Sequence, residues 1–131
     1  MNQHTPDAPL IVGIVDDDEA VRDAMNSLLQ SAGYKSVLFP SAEDFLNSSR
    51  ISETDCLLLD EGMPGLSGLE LQMRLNEMKY FIPTIFVTAQ SEDSVRTKAL
   101  AQGAVAFLDK PFSETALLDA IRVALKSRNA Q

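Results

Sequence analysis

The sequence "CLLLDEGMPGLSG", residues 56–68, joins an apolar run to two acids and a Gly-Met-Pro-Gly break. Its three leucines are typical of a strand that is buried on both faces, as in a parallel sheet covered by helices. Asp60 and Glu61 end this run, although burial of an unpaired charge costs several kcal/mol. The stretch therefore predicts a central parallel strand that delivers an acid to a site where its charge is used.

Short apolar runs alternate with segments of helical period along the chain, in five rounds from residue 10 onward. The runs are "LIVGIV", "YKSVLF", "DCLLLD", "PTIFVT" and "AVAFLD". This alternation predicts an α/β fold, a doubly wound, flavodoxin-like (βα)5 sheet of five parallel strands with helices on both faces. The common strand order for such a sheet is 2-1-3-4-5, which places a ligand site between strands 1 and 3 at their carboxyl ends.

The helical segments carry local signals for where they begin and how deeply they pack. Ser41 with Asp44, and Ser67 with Glu70, form capping pairs for the second and third helices. The fourth helix, from about Ser91, has a thin apolar stripe and is expected to be lightly packed. That stripe comprises Val95, Ala99 and Leu100, and the stripe of the fifth helix comprises Leu117, Ala120, Ile121, Ala124 and Leu125.

The length of 131 residues and the hydrophobic content of 45% predict a single globular domain. We expect a disordered leader over residues 1–8, the folded domain over 9–127, and a tail or the start of a linker to a missing domain over 128–131. No apolar run approaches the roughly 18 residues of a membrane span, and residues 1–9 lack the layout of a signal peptide. We therefore expect a cytoplasmic protein with no membrane partner.

Charge and the rarest residue types narrow the possible functions further. A net charge of -8 argues against nucleic-acid binding by this domain, because that needs clustered Lys and Arg. The single cysteine, Cys56, cannot form an internal disulfide and is predicted to be a small buried hydrophobe. The single histidine, His4, has no Cys or second His near it, which excludes the usual zinc sites. Any metal must therefore be held by oxygen atoms.

Acids follow two strands that neighbour each other in the predicted sheet. Asp16 and Asp17 come directly after the first strand, and Asp60 ends the third. Two carboxylates about 4 Å apart repel by roughly 4 kcal/mol at an effective dielectric near 20. A cation is the simplest remedy, and an all-oxygen site with few carboxylates suits Mg²⁺.

The ends of strands 4 and 5 add groups that suit a phosphoryl ligand. Lys110 supplies a point charge for a phosphate oxygen, and Thr88 supplies a hydroxyl donor. Asp60, at the centre of the rim, is the natural nucleophile. Each part has an ordinary structural explanation, as helix-terminal acids, a capping hydroxyl or a surface lysine. Their joint occurrence at one rim favours phosphoryl transfer.

Four motifs, "IVDDDEAVR", "LLLDEGMPGLSGLEL", "PTIFVTA" and "GAVAFLDKPF", together resemble the receiver domain of two-component response regulators. The resemblance covers about Pro9 to Lys126. It looks closest to receivers of the FixJ type, which usually precede a helix-turn-helix output domain of the LuxR class. It implies a signalling phospho-acceptor that catalyses only its own phosphorylation and dephosphorylation, and control of transcription in the parent protein.

The resemblance also implies a role for each residue of the rim. Asp60 is the phospho-acceptor and takes its phosphoryl group from a sensor histidine kinase. Asp17, Asp60 and the backbone carbonyl of Gly62 bind Mg²⁺ directly, and Asp16 acts through water. Mn²⁺ or Ca²⁺ can substitute for Mg²⁺. Lys110 pairs with Asp60 and then with the phosphoryl oxygens.

Three further features follow from the resemblance. The bond between Lys110 and Pro111 is expected to be cis. Thr88 and Phe107 correspond to the family's switch pair, although Phe107 has a competing role as plain core. Their movement changes the face formed by the fourth helix, fifth strand and fifth helix, through which an output domain or downstream protein is controlled. A homodimer that depends on phosphorylation is a further expectation.

The chain departs from the family pattern directly after Asp60. Receivers of this type usually carry a long or basic side chain before Met-Pro, whereas this chain has Glu61 and Gly62. We expect Glu61 to be solvated and, by strand alternation, to point away from Asp60. Without a long side chain at position 62, attacking water is less hindered, which predicts a shorter-lived phosphorylated state.

Three alternatives stay open at this point. A pseudo-receiver would share the fold and act purely as an interaction module. Haloacid-dehalogenase-type phosphatases combine similar residues with Mg²⁺, but their nucleophile comes first in the chain and their acidic pair last. A flavodoxin-like cofactor binder needs a phosphate loop after strand 1, where this chain has acids.

Overall fold

The computed structural model describes residues 10–90 and 92–129. The five strands are β1 (Ile11–Val15), β2 (Lys35–Phe39), β3 (Cys56–Leu59), β4 (Thr84–Thr88) and β5 (Ala106–Asp109). The five α-helices are α1 (Glu19–Ser31), α2 (Ala42–Leu46), α3 (Gly68–Glu77), α4 (Asp93–Ala101) and α5 (Glu114–Asn129), and a 3-10 turn spans Ile51–Glu53. The predicted leader, with His4, lies outside the described residues.

The strands form one sheet in the order β2-β1-β3-β4-β5, and every neighbouring pair is parallel. This confirms the predicted fold class and strand order. The register aligns Val15 with Leu59, and Leu59 with Phe86. The residues that follow β1 and β3 therefore emerge side by side at one edge, which we call the carboxyl edge.

Helices cover both faces of the sheet and enclose two apolar clusters. On one face, α2, α3 and α4 pack on the sheet around Phe45, Leu71, Phe86 and Phe107. On the other face, α1 and α5 pack around Met25, Leu29, Leu117 and Ile121. The leucines of β3 alternate between the two clusters, which is why an uninterrupted apolar run is needed there.

Local signals placed the helix starts correctly where a capping side chain was involved. The Ser41 hydroxyl accepts a hydrogen bond from the Asp44 N–H, and Ser67 and Glu70 form a full capping box. The Asp18 carboxylate caps α1 by accepting from the N–H groups of Ala20 and Val21. Asp18 is therefore a structural acid, distinct from the pair before it.

The fourth helix is lightly packed, as predicted. Its only buried residue is Ala99, and its N-cap Glu92 makes no capping hydrogen bond with its side chain. The helix begins at Asp93, two residues later than expected. Placing Leu100 in the apolar stripe was wrong, because Leu100 is 45% exposed. Consecutive helical residues are about 100° apart, so Leu100 turns away from the face of Ala99.

The fifth helix runs to Asn129, two residues beyond the expected domain boundary. Four of its five predicted core residues are buried, and Ala120 is half-buried.

Cys56 is fully buried, as predicted, and burial raises the pKa of its thiol to about 12. Among the described residues, none of the helices has the length and apolar character needed to span a membrane.

Candidate functional site

Three acids from two strand ends meet at the carboxyl edge. One carboxylate oxygen each from Asp16, Asp17 and Asp60 lies within 4.8 Å of the other two. Asp16 is fully buried and Asp60 is 5% exposed, whereas Asp17 faces solvent. The pairing of Val15 with Leu59 brings them together, since each acid directly follows its strand. The structure thus brings together the acids that the sequence predicted to converge.

Asp16 is held in place by backbone and side-chain contacts. Its Oδ1 accepts a hydrogen bond from the Asp18 N–H at 2.9 Å, and its Oδ2 lies 2.8 Å from Nζ of Lys110. The approach of Lys110 is that of an ion pair without well-aligned hydrogen-bond geometry. Burial raises the pKa of Asp16, the contacts with Lys110 and Asp18 oppose that rise, and the charge of Asp60 adds to it.

Lys110 bridges the two buried acids. Its Nζ lies 3.4 Å from Oδ2 of Asp60, so the pairing implied by the resemblance is present, but Asp16 is the nearer partner. Burial by itself would lower the pKa of Lys110, but the carboxylates of Asp16 and Asp60 outweigh it and raise that pKa. The ammonium therefore stays charged. The bond from Lys110 to Pro111 is cis, as expected.

The donor set fits a divalent cation. Three carboxylates and one ammonium leave two negative charges in a partly buried cluster, and every side-chain donor in the acid group is an oxygen. Hard oxygen donors are what Mg²⁺ takes in proteins. The backbone of Gly62 also lies beside the cluster, because its N–H donates to Oδ1 of Asp60 at 3.3 Å.

The loop after Asp60 is tied back to the start of α3. The Glu61 carboxylate accepts from the Leu69 N–H at 2.7 Å, and burial raises the pKa of Glu61. The expectation of a solvated Glu61 was therefore wrong, because a free N–H in the first helical turn attracts the carboxylate. At Gly68 an added Cβ would lie 2.4 Å from the carbonyl oxygen of Asp60. The helix start and the acid's backbone are in direct contact.

The side chain of Gln90, in the loop that follows β4, fills the space beside Gly62. A Cβ at position 62 would lie 2.8 Å from Cγ of Gln90. The Gln90 N–H donates to Oγ1 of Thr88 at 3.0 Å, which anchors the loop to the fully buried threonine. Gln90 thus occupies the space that a side chain at position 62 would enter.

Phe107 lies inside the core cluster and is 7% exposed. Its ring stacks on that of Phe86, with centroids 5.7 Å apart and planes at 16°. The guanidinium carbon of Arg96 lies 4.8 Å from the centroid of the Phe107 ring. Phe107 therefore meets the expectation of a core residue, and its place next to α4 is compatible with a switch.

Sequence reasoning missed three residues of this site. Arg22 donates from Nη1 to the backbone carbonyl of Asp16 at 2.7 Å, and the motif "VDDDEAVR" that contains it was a usable signal. Gln90, in the loop after β4, lies against Gly62 in the loop after β3, and Arg96 of α4 contacts Phe107 of β5. No periodicity or capping rule predicts such contacts, so the sequence held no signal for them.

An apolar groove opens beside Lys110. It has a volume of about 430 Å³ and lies between the first turns of α1 and the loop after β5. Its lining includes Val21, Ala24, Pro111 and Phe112. The groove thus adjoins the acid cluster through Lys110.

Comparisons with known proteins point to one family. The profile of the "Response regulator receiver domain" family matches residues 12–122. The chain is 44% identical over 124 residues to "Response regulator protein TodT" of Pseudomonas putida, covering 95% of this chain and 55% of that protein. It is 36% identical over 113 residues to "Transcriptional regulatory protein FixJ" of Bradyrhizobium diazoefficiens, covering 86% and 55%.

A solved structure is similar over the same region. The low-resolution structure of the response regulator StyR has a TM-score of 0.87 and 42% identity, covering 94% of this chain and 62% of that chain. The chain spans about half the length of these two curated relatives, at 55% of each.

Proposed function

Because the chain belongs to the receiver-domain family of two-component response regulators, we propose that it accepts a phosphoryl group on Asp60 from the phosphohistidine of a sensor kinase in the cytoplasm. The observation that carries the proposal is the meeting of Asp16, Asp17 and Asp60 with Lys110 at the carboxyl edge. Even with the Lys110 ammonium, such a cluster keeps a net negative charge that a bound divalent cation would neutralise, and with that cation it would bind and orient a phosphoryl group.

In the proposed transfer an Asp60 carboxylate oxygen attacks phosphorus. The new O–P bond forms as the N–P bond to the kinase imidazole breaks, and the electron pair remains on that nitrogen. Lys110, which lies 3.4 Å from Asp60, neutralises charge on the phosphoryl oxygens. Mg²⁺ held by Asp17, Asp60 and the Gly62 carbonyl, with Asp16 acting through water, would supply further charge neutralisation. Mn²⁺ or Ca²⁺ would fit the same oxygen donors.

The phosphorylated state would then be read out on the face made by α4, β5 and α5. Thr88 moves toward the phosphoryl group, and its hydroxyl donates to a phosphoryl oxygen. Phe107 then turns into the space that Thr88 leaves, and this movement changes the position of α4. The relatives named as transcriptional regulators support an output domain or a downstream transcription partner. A homodimer through this face on phosphorylation belongs to the same proposal, and the domain itself does not bind nucleic acid.

The test is phosphorylation by a small phosphodonor. We expect acetyl phosphate with Mg²⁺ to add the mass of one phosphoryl group to the intact protein, and chelation of the metal to prevent it. Asp60→Asn should remove the mass increase, whereas Asp44→Asn, a matched change at an exposed residue of α2, should leave it intact. No increase in the unmodified protein would favour the pseudo-receiver, and an increase retained in Asp60→Asn would refute the assigned acceptor.

We further propose that the groove beside Lys110 receives the kinase. The donor histidine must approach Asp60 closely, so the kinase must cover the carboxyl edge, and this groove is an apolar surface continuous with it. Ala24→Glu, at an exposed residue of the groove, should slow transfer from the phosphorylated kinase. Transfer from acetyl phosphate should be unchanged, because so small a donor does not need the apolar surface of the groove. Equal slowing with both donors would contradict this assignment.

A further inference from the structure

The ring of Phe107 contacts a cation as well as a second ring. The guanidinium of Arg96, on α4, lies over the Phe107 ring at 4.8 Å from its centroid. This distance is within the roughly 6 Å at which a cation and an aromatic face attract each other. The Phe86 ring, which is fully buried, is the other aromatic contact. Phe107 thus has a rigid partner in the core and a polar partner near the surface.

The same guanidinium makes two more contacts with β5. Nη1 of Arg96 donates a long hydrogen bond of 3.4 Å to the carbonyl of Phe107. Nη2 lies 3.8 Å from Oδ1 of Asp109, next to Lys110 in the chain. The side chain of Arg96 is 40% exposed and that of Asp109 is 59% exposed, so the ion pair alone is weak. The ion pair with Asp109 instead helps to orient the Arg96 guanidinium over the Phe107 ring.

The helix that carries Arg96 has few other anchors. Ala99 is its only buried residue. Two side-chain hydrogen bonds tie it to α3, one from Nε2 of Gln72 to the carbonyl of Ala99 and one from Nδ2 of Asn76 to the carbonyl of the C-cap Gln102. A helix with so little buried apolar surface can shift at small cost. The contacts of Arg96 therefore account for a large share of what fixes α4 against β5.

We propose that Arg96 is a positioning residue of the switch, whose guanidinium holds the Phe107 ring inward and joins α4 to β5. The inference rests on the proposed function, since only a phosphorylated receiver needs such a switch. Arg96 acts through Phe107, and its side-chain ion pair is with Asp109 and not with Asp16, Asp17 or Asp60. Its loss moves the equilibrium toward an outward Phe107 by about two- to fivefold, as the strength of a partly exposed cation–π contact implies.

The first experiment measures the position of Phe107 directly in unphosphorylated protein. Fluorophenylalanine labelling gives one ¹⁹F signal for each of the six phenylalanines, and Phe107→Leu identifies the signal of interest by its loss. Arg96→Met should shift or broaden that signal, with a smaller effect on the signal of the stacked Phe86, and should leave the other four signals unchanged. Lys98→Met removes the same charge from an exposed residue of the same helix and should leave it unchanged. Arg96→Lys keeps the charge but not the planar group, and should give an intermediate result.

The second experiment uses linkage. If inward Phe107 and an occupied acceptor favour each other, Arg96→Met lowers the inward fraction and weakens the binding of beryllium fluoride, a phosphoryl mimic, by at most about two- to fivefold. A Phe107 signal that is identical in Arg96→Met and the unmodified protein would overturn the inference. So would an equal effect of Lys98→Met. Failure of the proposed function is distinct, because the unmodified protein would then neither gain phosphoryl mass nor bind the mimic.

Discussion

At Gly62 the molecule lacks a side chain beside the proposed phosphoryl site, and Gln90 lies against the gap. Gly62→Arg would introduce a long side chain and displace Gln90, whose Cγ lies 2.8 Å from the required Cβ position. We expect the phosphorylated protein to lose its phosphoryl group several-fold more slowly, because attacking water is hindered. The measurement is the decay of phosphorylated protein after removal of the donor, followed by intact mass.

A matched substitution separates shielding from charge. Asn47→Arg adds the same charge at the exposed C-cap of α2 and should leave the decay rate unchanged. If Gly62→Arg and Asn47→Arg decay alike, the idea that position 62 controls access of water is wrong. Gln90→Ala should speed the decay, since it removes the side chain that now lies there.

Glu61 is the other departure from the family, and its contact with the Leu69 N–H gives it a structural role. Glu61→Ala should lower the free energy of unfolding by about 1 kcal/mol, the usual loss when a helix N-terminus loses a capping group. It should also weaken Mg²⁺ binding, because the loop that carries the Gly62 carbonyl loses its side-chain hydrogen bond to α3. Denaturant unfolding and calorimetric titration with Mg²⁺ measure the two effects.

The isosteric change Glu61→Gln is the control, because it keeps an acceptor oxygen. Burial raises the pKa of Glu61, so the folded protein binds this proton more tightly than the unfolded chain does. This group therefore lowers stability as pH rises through that pKa, and Glu61→Gln should be at least as stable as the unmodified protein at neutral pH. Equal loss of Mg²⁺ affinity in the Ala and Gln variants would show that charge, and not the tie to α3, is what matters.

Among the α-helices, α4 has the fewest buried residues, and the side chain of its N-cap makes no capping hydrogen bond. We predict that its amide hydrogens, over Asp93–Ala101, exchange with solvent faster than those of α1 and α5, each of which buries several apolar side chains. Phosphorylation should change exchange most in α4 and β5. Hydrogen exchange read by mass spectrometry checks both expectations, and protection of α4 equal to that of α5 would contradict the first.

The helices also show what local sequence patterns could predict. The starts of α2 and α3 were predicted correctly because a cap and its N–H partner lie three residues apart. Leu100 was misplaced because consecutive helical residues are about 100° apart, which turns it away from the face of Ala99. Glu61 was misplaced because its partner, the Leu69 N–H, lies in the next helix. The contacts of Arg96 with Phe107 join two elements, and so they could be found only once the packing of α4 on β5 was known.

For the whole molecule, Mg²⁺ bound at the acid cluster would make stability depend on the metal. A ligand at a hundred times its Kd adds about 2.7 kcal/mol to the free energy of unfolding. We therefore expect saturating Mg²⁺ to raise the Tm by several degrees, and Asp17→Ala to abolish most of that gain. Thermal melts with Mg²⁺, and with NaCl at equal ionic strength, separate binding from screening; an equal gain in NaCl would refute a specific site.

At this scale the sequence was most informative. Parallel strands share an edge, so the residues after β1, β3 and β5 could be brought together before any coordinates were known, and the structure places their side chains in contact. The pairing of Lys110 primarily with Asp16 could not be predicted in this way. A strand order determines which residues meet, whereas the distances among three neighbouring charged groups depend on side-chain packing.

The contact between Gly68 and the Asp60 carbonyl has a consequence for how this protein tolerates variation. Any side chain at position 68 would push α3 away from β3, and Asp60 would move with the strand end. In a survey of all single substitutions scored by signalling output, we therefore expect substitutions at position 68 to lower the output as much as substitutions of Asp60 do. Intolerance of substitution at Gly68 would reflect the close packing of the α3 backbone on the backbone of Asp60, and not a catalytic or binding role for residue 68.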